Sequence, residues 1–325
     1  MNEPKRHHLV PRCYLKNFGI RRKKDWFVDA YDRSKSVENI FEVNVKNICV
    51  QTEYYTFSKL PDDQKRFLEK FYATNIEANY TELYELLTAQ DQTKLSIRQR
   101  FAIITFVISL SLRTSKVGNN YNKFWNNTLD KVYGMLDFEK DIDKIQIGGG
   151  KDIDFKNNTL DQIKKEHAKE NTKLFNIINF QTFYEISSMR LKDGILVEKV
   201  HPSYKLISSD NPAYFDHNIY DLTGFIKLPL DENHLLIIIP YTQEEYFDSK
   251  NIYKRNLDEE WSYMEVNYNN IFQIENSEKY LIGNSKNIKE ALNFFTNLDS
   301  NNFYERCKAL RIKTEKKLEI VEKIT

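Results

Sequence analysis

Cysteine is scarce in this chain and follows no pattern. Cys13, Cys49 and Cys307 are odd in number, far apart and in no metal-ligand spacing. They read as reduced thiols of a cytoplasmic protein rather than a disulfide framework. Net charge is missing as well. Forty-eight basic residues against 47 acidic leave +1, so no global field draws nucleic acid or a membrane surface, and only a local basic patch could. Long hydrophobic runs are absent too. The most apolar stretch, Phe101 to Leu112, is well short of the about 20 residues a bilayer needs, so no membrane partner is expected. The N-terminus is polar and carries histidines where a secretory signal would be apolar. The Asn-x-Thr sequons at Asn79, Asn126 and Asn157 therefore carry no meaning. Glycine clusters once, at Gly148-Gly149-Gly150, but Asp152 follows Lys151 where a phosphate loop needs Ser or Thr. That stretch reads as a flexible loop.

What is present is aromatic bulk. Twenty Tyr and 21 Phe carry much of the 41% hydrophobic content, so ring packing should dominate the core. Length alone predicts about two domains. The order of elements favours a single α+β domain over 1–325, because strands lie at both ends and helices lie in the middle and at the tail. Residues 1–60 supply N-terminal strands, 61–190 a helical region, 191–285 a second strand region and 286–325 C-terminal helices.

Trp26 to Tyr31 alternates aromatic and polar residues, and Val37 to Val45 follows a turn, which predicts an antiparallel hairpin. Arg21-Arg22-Lys23-Lys24 before it reads as a solvated loop, or else as a phosphate contact. Pro61-Asp62-Asp63 signals a helix start, and an apolar stripe from Phe67 to Leu87 carries that helix to about Ala89. Glu77 falls within or beside this stripe. Ser96 and Gln99 form a capping box for a helix apolar nearly all round, as in the middle of a bundle. Arg113 ends it, where it suits the helix dipole or holds a ligand. Further helices are expected at Tyr121 to Phe138 and Leu160 to Met189. Strands follow at Gly194 to Val200 and Tyr204 to Ser209, then a hairpin around Asp231-Glu232-Asn233. Helices return at Leu257 to Gln273, Ile288 to Leu298, and a tail from Phe303.

Two motifs could carry chemistry. His7 and His8 precede Pro11 and an apolar-aromatic run that begins unusually early for a terminus. Adjacent side chains on an extended segment face opposite ways, so one imidazole could enter a pocket while its neighbour packs behind. Imidazole suits acid/base work or metal binding near neutral pH. The second motif is Ser209-Asp210-Asn211-Pro212 at a strand end. It is a place for a functional carboxylate and equally a common turn.

The opening resembles a bacterial family known only as a domain of unknown function, number 4238. His7, His8, Pro11, Tyr14, Leu15 and Phe18 fill its His-His-x-x-Pro-x-x-Tyr-Leu-x-x-Phe pattern. Similar too are Glu53-Tyr54-Tyr55, the Leu112-Arg113-Thr114 helix end, Ser209 to Pro212, Pro229-Leu230 and the segment Asn269 to Ile282. Arg12 and Cys13 depart from the pattern, and Gly118 to Glu170 shows no match. The resemblance implies that His7, His8, Arg113, Asp210 and Asn211 share one pocket, with Glu53 as a further substrate-binding group.

Such a pocket suits a hydrolase of the nuclease-like kind, a toxin or antiviral effector acting on a phosphodiester or nucleotide. A histidine would be base or metal ligand, Asp210 its partner, a divalent metal the candidate cofactor, and Arg113 the anion clamp. The alternative is a module that binds a small anionic ligand or a protein partner without turnover. A third reading makes the same groups a buried network that fixes the N-terminus.

Overall fold

This computed structural model describes residues 6–57, 60–91, 93–136, 144–146, 152–216, 219–241, 250–299, 302, 303 and 305, with backbone alone at 144–146, 152 and 169–171. The glycine cluster and nearly all of the charged tail lie outside the described residues.

The chain opens with strand β1 (Arg6–His8) and a helical turn, α1 (Arg12–Leu15). A hairpin of β2 (Ile20–Arg22) and β3 (Asp25–Asp32) follows, then β4 (Ile40–Asn44) and β5 (Val50–Thr52). The basic cluster is the tip of that hairpin. Lys23 takes the left-handed conformation there (φ 55°), and Arg22 pairs with Glu42 at 2.6 Å in solvent.

The expected helix from Pro61 to Ala89 is broken. Pro61 caps only a turn, to whose carbonyl Gln64 and Lys65 donate. The helix proper is α2 (Phe67–Phe71), a wide helical turn over Tyr72–Glu77, then α3 (Tyr80–Thr88). Polar side chains compete for the carbonyls at the break: Thr74 donates to the Lys70 carbonyl at 2.7 Å and Asn75 to that of Phe71 at 3.3 Å.

The capping box of Ser96 and Gln99 starts α4 (Ile97–Leu112), which is buried from Ile103 to Leu112 as its pattern predicts. The chain bends at Arg113 into α5 (Ser115–Leu136). A small hairpin, β6 (Lys144–Gln146) and β7 (Asp152–Asp154), precedes α6 (Leu160–Met189). Among the described residues no single helix is long and apolar enough to cross a membrane.

The second strand region holds β8 (Gly194–Lys199), β9 (Ser208–Ser209), β10 (Tyr214–Phe215), β11 (Ile226–Pro229), β12 (His234–Ile239) and β13 (Tyr253–Asn256). Helix α7 (Glu259–Asn276), strand β14 (Tyr280–Gly283) and helix α8 (Ser285–Thr296) follow. β9 is shorter than the expected Tyr204 to Ser209. Asn270 of α7 takes over its edge, accepting from the Ile207 amide and donating to the Lys205 carbonyl, both at 3.0 Å. Backbone groups satisfied by a side chain need no ladder.

Two five-stranded sheets result. One runs β2-β3-β14-β9 with β4 also on β3; the other runs β10-β11-β12-β8-β13. Pairing is antiparallel except for β13 on β8. With the helices set apart from these sheets the class is α+β. One core cluster joins Leu9 and Leu15, the middle of α4, the α6 residues Phe183 and Ile186, Ile195 of β8, Ile238 of β12 and Ile282 of β14.

The N-terminus is tied to the far strands. Tyr14 is fully buried, and its hydroxyl donates to the Pro229 carbonyl and meets Ser208 Oγ, both at 2.8 Å. Asn17 donates to the Leu230 carbonyl at 3.1 Å.

A second tie lies where α6 turns into β8. Arg190, fully buried, pairs with Asp193 at 2.8 Å and donates to the carbonyls of Asp221 (2.9 Å) and Gly224 (3.1 Å). Asp193 in turn accepts from the Tyr241 amide at 3.0 Å. Removing the guanidinium would strand a buried carboxylate. Arg190→Met is expected to lower the unfolding free energy by about 3–5 kcal/mol, read from urea denaturation.

Candidate functional site

His7 lies in the middle of β1, opposite Gln51 of β5 in a two-stranded antiparallel ribbon. Its side chain is fully buried. The Tyr55 amide donates to His7 Nδ1 at 2.8 Å, so that nitrogen must offer its lone pair. The neutral ring then carries its proton on Nε2, which is buried without a hydrogen-bond partner. Burial lowers the His7 pKa to about 4, helped by Arg66, Lys173 and Arg113 and opposed by Glu53. At neutral pH His7 is therefore an uncharged donor and not a base. Its ring stacks on Tyr55, with centroids 5.6 Å apart and planes at 9°.

The turn after β5 makes this contact possible. Glu53 adopts the left-handed conformation (φ 54°) although it is not glycine, and the turn brings the Tyr55 amide to the imidazole. Two side chains of α6 clamp the turn: Lys173 donates to the Glu53 carbonyl at 2.9 Å and Asn176 to that of Tyr54 at 3.0 Å.

His8 is half-buried. Its Nε2 donates to the Val45 carbonyl at 3.3 Å, which leaves Nδ1 with the lone pair. Burial and then Arg12 lower its pKa to about 4, so it is a weak base.

Arg113 resolves the choice between dipole partner and ligand clamp differently. It is 3% exposed. One terminal nitrogen pairs with Glu77 at 2.8 Å and the other donates to the His8 carbonyl at 2.7 Å. Its guanidinium lies 4.3 Å from the Tyr72 ring centre and 5.8 Å from that of Tyr55. Glu77, suspected of lying inside its stripe, is the partner of this cation.

The structure thus brings His7, His8, Arg113 and Glu53 together around Tyr55. Asp210 and Asn211 sit elsewhere. Asp210 Oδ1 accepts from the Glu278 amide at 2.8 Å, and Oδ2 accepts from those of Lys279 (2.8 Å) and Tyr280 (3.1 Å). It holds the turn between α7 and β14. Burial raises its pKa and the three amides oppose the rise. Asn211 donates to the Asn276 carbonyl at 3.3 Å in the same turn.

A cavity of about 220 Å³ is lined by Leu9, Val50, Gln51, Ser115, Asp210 and Lys279 among others, but not by His7, His8 or Arg113. Among the described residues no group of three or more His, Cys, Asp or Glu could hold a metal ion.

Two features carried no sequence signal strong enough to be singled out. One is a set of buried polar atoms without hydrogen-bond partners on the elements around Tyr55: His7 Nε2, Tyr54 Oη, Thr56 Oγ1, Glu69 Oε2 and Arg113 Nε. The other is an imidazole–carboxylate pair, His234 with Asp231, at the β11–β12 turn. There, Asp followed three residues later by His was the available clue.

Two outcomes test these assignments. The folded chain disfavours the charged form of His7, so the unfolded chain binds more protons between pH 6.5 and about 4. Stability is complete above that window and is lost as pH falls through it, by up to about 3 kcal/mol. Urea midpoints of the parent should fall more steeply there than those of His7→Gln. Asp210→Ala orphans three amides and should cost about 3 kcal/mol in the same measurement at neutral pH.

No curated protein and no solved structure matches this chain. One family model does, over residues 6–287, and its description is a protein of unknown function (DUF4238). The match starts at the strand that holds the paired histidines and runs past β14. The chain belongs to this DUF4238 family.

Proposed function

We propose that this chain binds a small anionic ligand at the site around Tyr55. The observation that carries the reading is the kind of atoms left unpartnered there. Four of the five, His7 Nε2, Arg113 Nε, Tyr54 Oη and Thr56 Oγ1, can donate a hydrogen bond and are buried without an acceptor; the fifth, Glu69 Oε2, is a carboxylate oxygen. Buried donors rarely stay unpaired, and each one left so costs about 1–3 kcal/mol. Arg66, Lys173 and Arg113 disfavour the charged form of His7 and Glu53 opposes them, so cations stand close to these donors although the chain as a whole is nearly neutral. Donors with cations close by suit a phosphate or carboxylate. The near-zero net charge favours a compact anion over a long nucleic acid.

These atoms are closed off from water, so the ligand would reach them by displacing the Glu53–Tyr55 turn. That turn already holds a residue in a left-handed conformation. Free Cys13 and Cys49 support a reducing, cytoplasmic setting.

The hydrolase reading draws less support. His7 offers a proton rather than a lone pair, and the Asp210 oxygens are taken by amides. His8 Nδ1 remains as the nearby basic nitrogen, in a ring whose pKa is lowered to about 4.

The test is calorimetry and thermal melting of the full chain with inorganic phosphate, simple carboxylates and mononucleotides. A ligand at 100 times its Kd stabilises by about 2.7 kcal/mol, a shift of several degrees. At least one anion should give it. Lys173→Gln should weaken binding about tenfold, with the anion-induced shift read against the variant's own unliganded melting point because Lys173 also clamps the Glu53 carbonyl. Melting points unmoved by millimolar anions, or binding indifferent to Lys173→Gln, would overturn the reading.

A further inference from the structure

The hairpin between β11 and β12 carries a second constellation, independent of the site around Tyr55. Asp231, buried, accepts from the amides of Asn233 (2.6 Å) and His234 (2.9 Å) through Oδ1. Its Oδ2 accepts from the Tyr84 hydroxyl of α3 at 2.6 Å and lies 2.8 Å from His234 Nδ1. A carboxylate flanked by so many donors is anionic, and despite burial its pKa is held below the usual value by His234 and Tyr84. His234 Nδ1 must then be the protonated nitrogen, which leaves the lone pair on Nε2. This is the reverse of His7. The His234 side chain is 15% exposed, whereas His7 is fully buried, so this lone pair is within reach of solvent.

A carboxylate behind an imidazole fixes its tautomer and stabilises the imidazolium that forms when Nε2 takes a proton. Beside it, Lys199 of β8 is exposed and stands directly opposite His234 in the ladder. Directly paired residues carry their Cβ atoms about 4.5–5.5 Å apart on one face. Glu232 is turned to other partners, Lys205 at 3.7 Å and Asn287 at 3.3 Å. The Asp231 carboxylate contacts the imidazole from behind, and Lys199 is the cationic residue paired with His234 across the ladder.

We propose that His234 is a general base for hydrolysis of an anionic phosphate ester held by Lys199. Nε2 removes a proton from water as the water oxygen bonds to phosphorus. The bond from phosphorus to the leaving oxygen breaks, and the imidazolium returns the proton to that oxygen. Asp231 and Tyr84 are positioning residues.

Two measurements on the full chain test this. In the first, bis(4-nitrophenyl) phosphate is the anionic probe and 4-nitrophenyl acetate the uncharged one. Nitrophenolate release from the phosphate should fall at least tenfold in His234→Gln. Lys199→Gln should raise KM for the phosphate more than for the acetate, with kcat for the phosphate little changed. The second uses the unaltered chain, since Asp231 also holds the hairpin and its variants could unfold. Brief treatment with diethyl pyrocarbonate followed by mass spectrometry should find His234 acylated at least tenfold faster than His7. No phosphate hydrolysis above buffer, equal hydrolysis by His234→Gln, or an unreactive His234 would each overturn the proposal and leave the pair as a turn fastener.

Discussion

The guanidinium of Arg113 acts from one buried position on two parts of the chain. It pairs with Glu77 and lies 4.3 Å from the ring centre of Tyr72, both in the wide turn between α2 and α3, and it grips the backbone of β1 through the His8 carbonyl. A lysine could not reproduce this, since two separate nitrogens of the fork are used. Burying such a charge is costly unless its partners are well placed. The partners come from the first strand and the helical region, so neither can settle without the other. The order of the N-terminus follows. With β1 held, α1 packs down, and the Tyr14 hydroxyl reaches the far strands.

Histidine shows how little the residue type alone decides. His7 receives a backbone N–H on Nδ1 and presents a proton at Nε2. His234 faces a carboxylate with Nδ1 and presents a lone pair at Nε2. One ring is fitted to hold an acceptor, the other to take a proton. The difference comes from a single neighbour in each case, one a main-chain amide and the other an acid three residues upstream.

Much of the scaffold was legible in the residues. The all-round apolar pattern of Phe101 to Leu112 announced a buried helix, Ser96 and Gln99 marked its start, and the apolar run after His8 announced a terminus tied down. The segregation of strands and helices gave the α+β class. The helix expected from Pro61 was lost because Thr74 and Asn75 bond back to the turn before them, a local competition that an apolar stripe does not reveal. The site was legible in part. His7, His8, Arg113 and Glu53 do gather, but the donor that commits His7 is a main-chain group of Tyr55, which has no sequence signature. The bonds of Asp210 had no signature for the same reason: its three partners are amides of residues 278–280, and any side chains there would have supplied them.

The pairing of β14 with β3 sets Tyr280 against Asp32 and Gly283 against Asp29. During synthesis β3 is complete long before its neighbour exists. Until some 250 residues have followed, that edge stays open over Asp29–Asp32, with β2 paired only along Asp25–Phe27 and β4 on the opposite edge. β1 likewise is made before Arg113 and α6 and waits for both. Contacts this distant in sequence fold slowly and together, so the nascent chain carries an unpaired edge and an uncovered aromatic core through most of its translation.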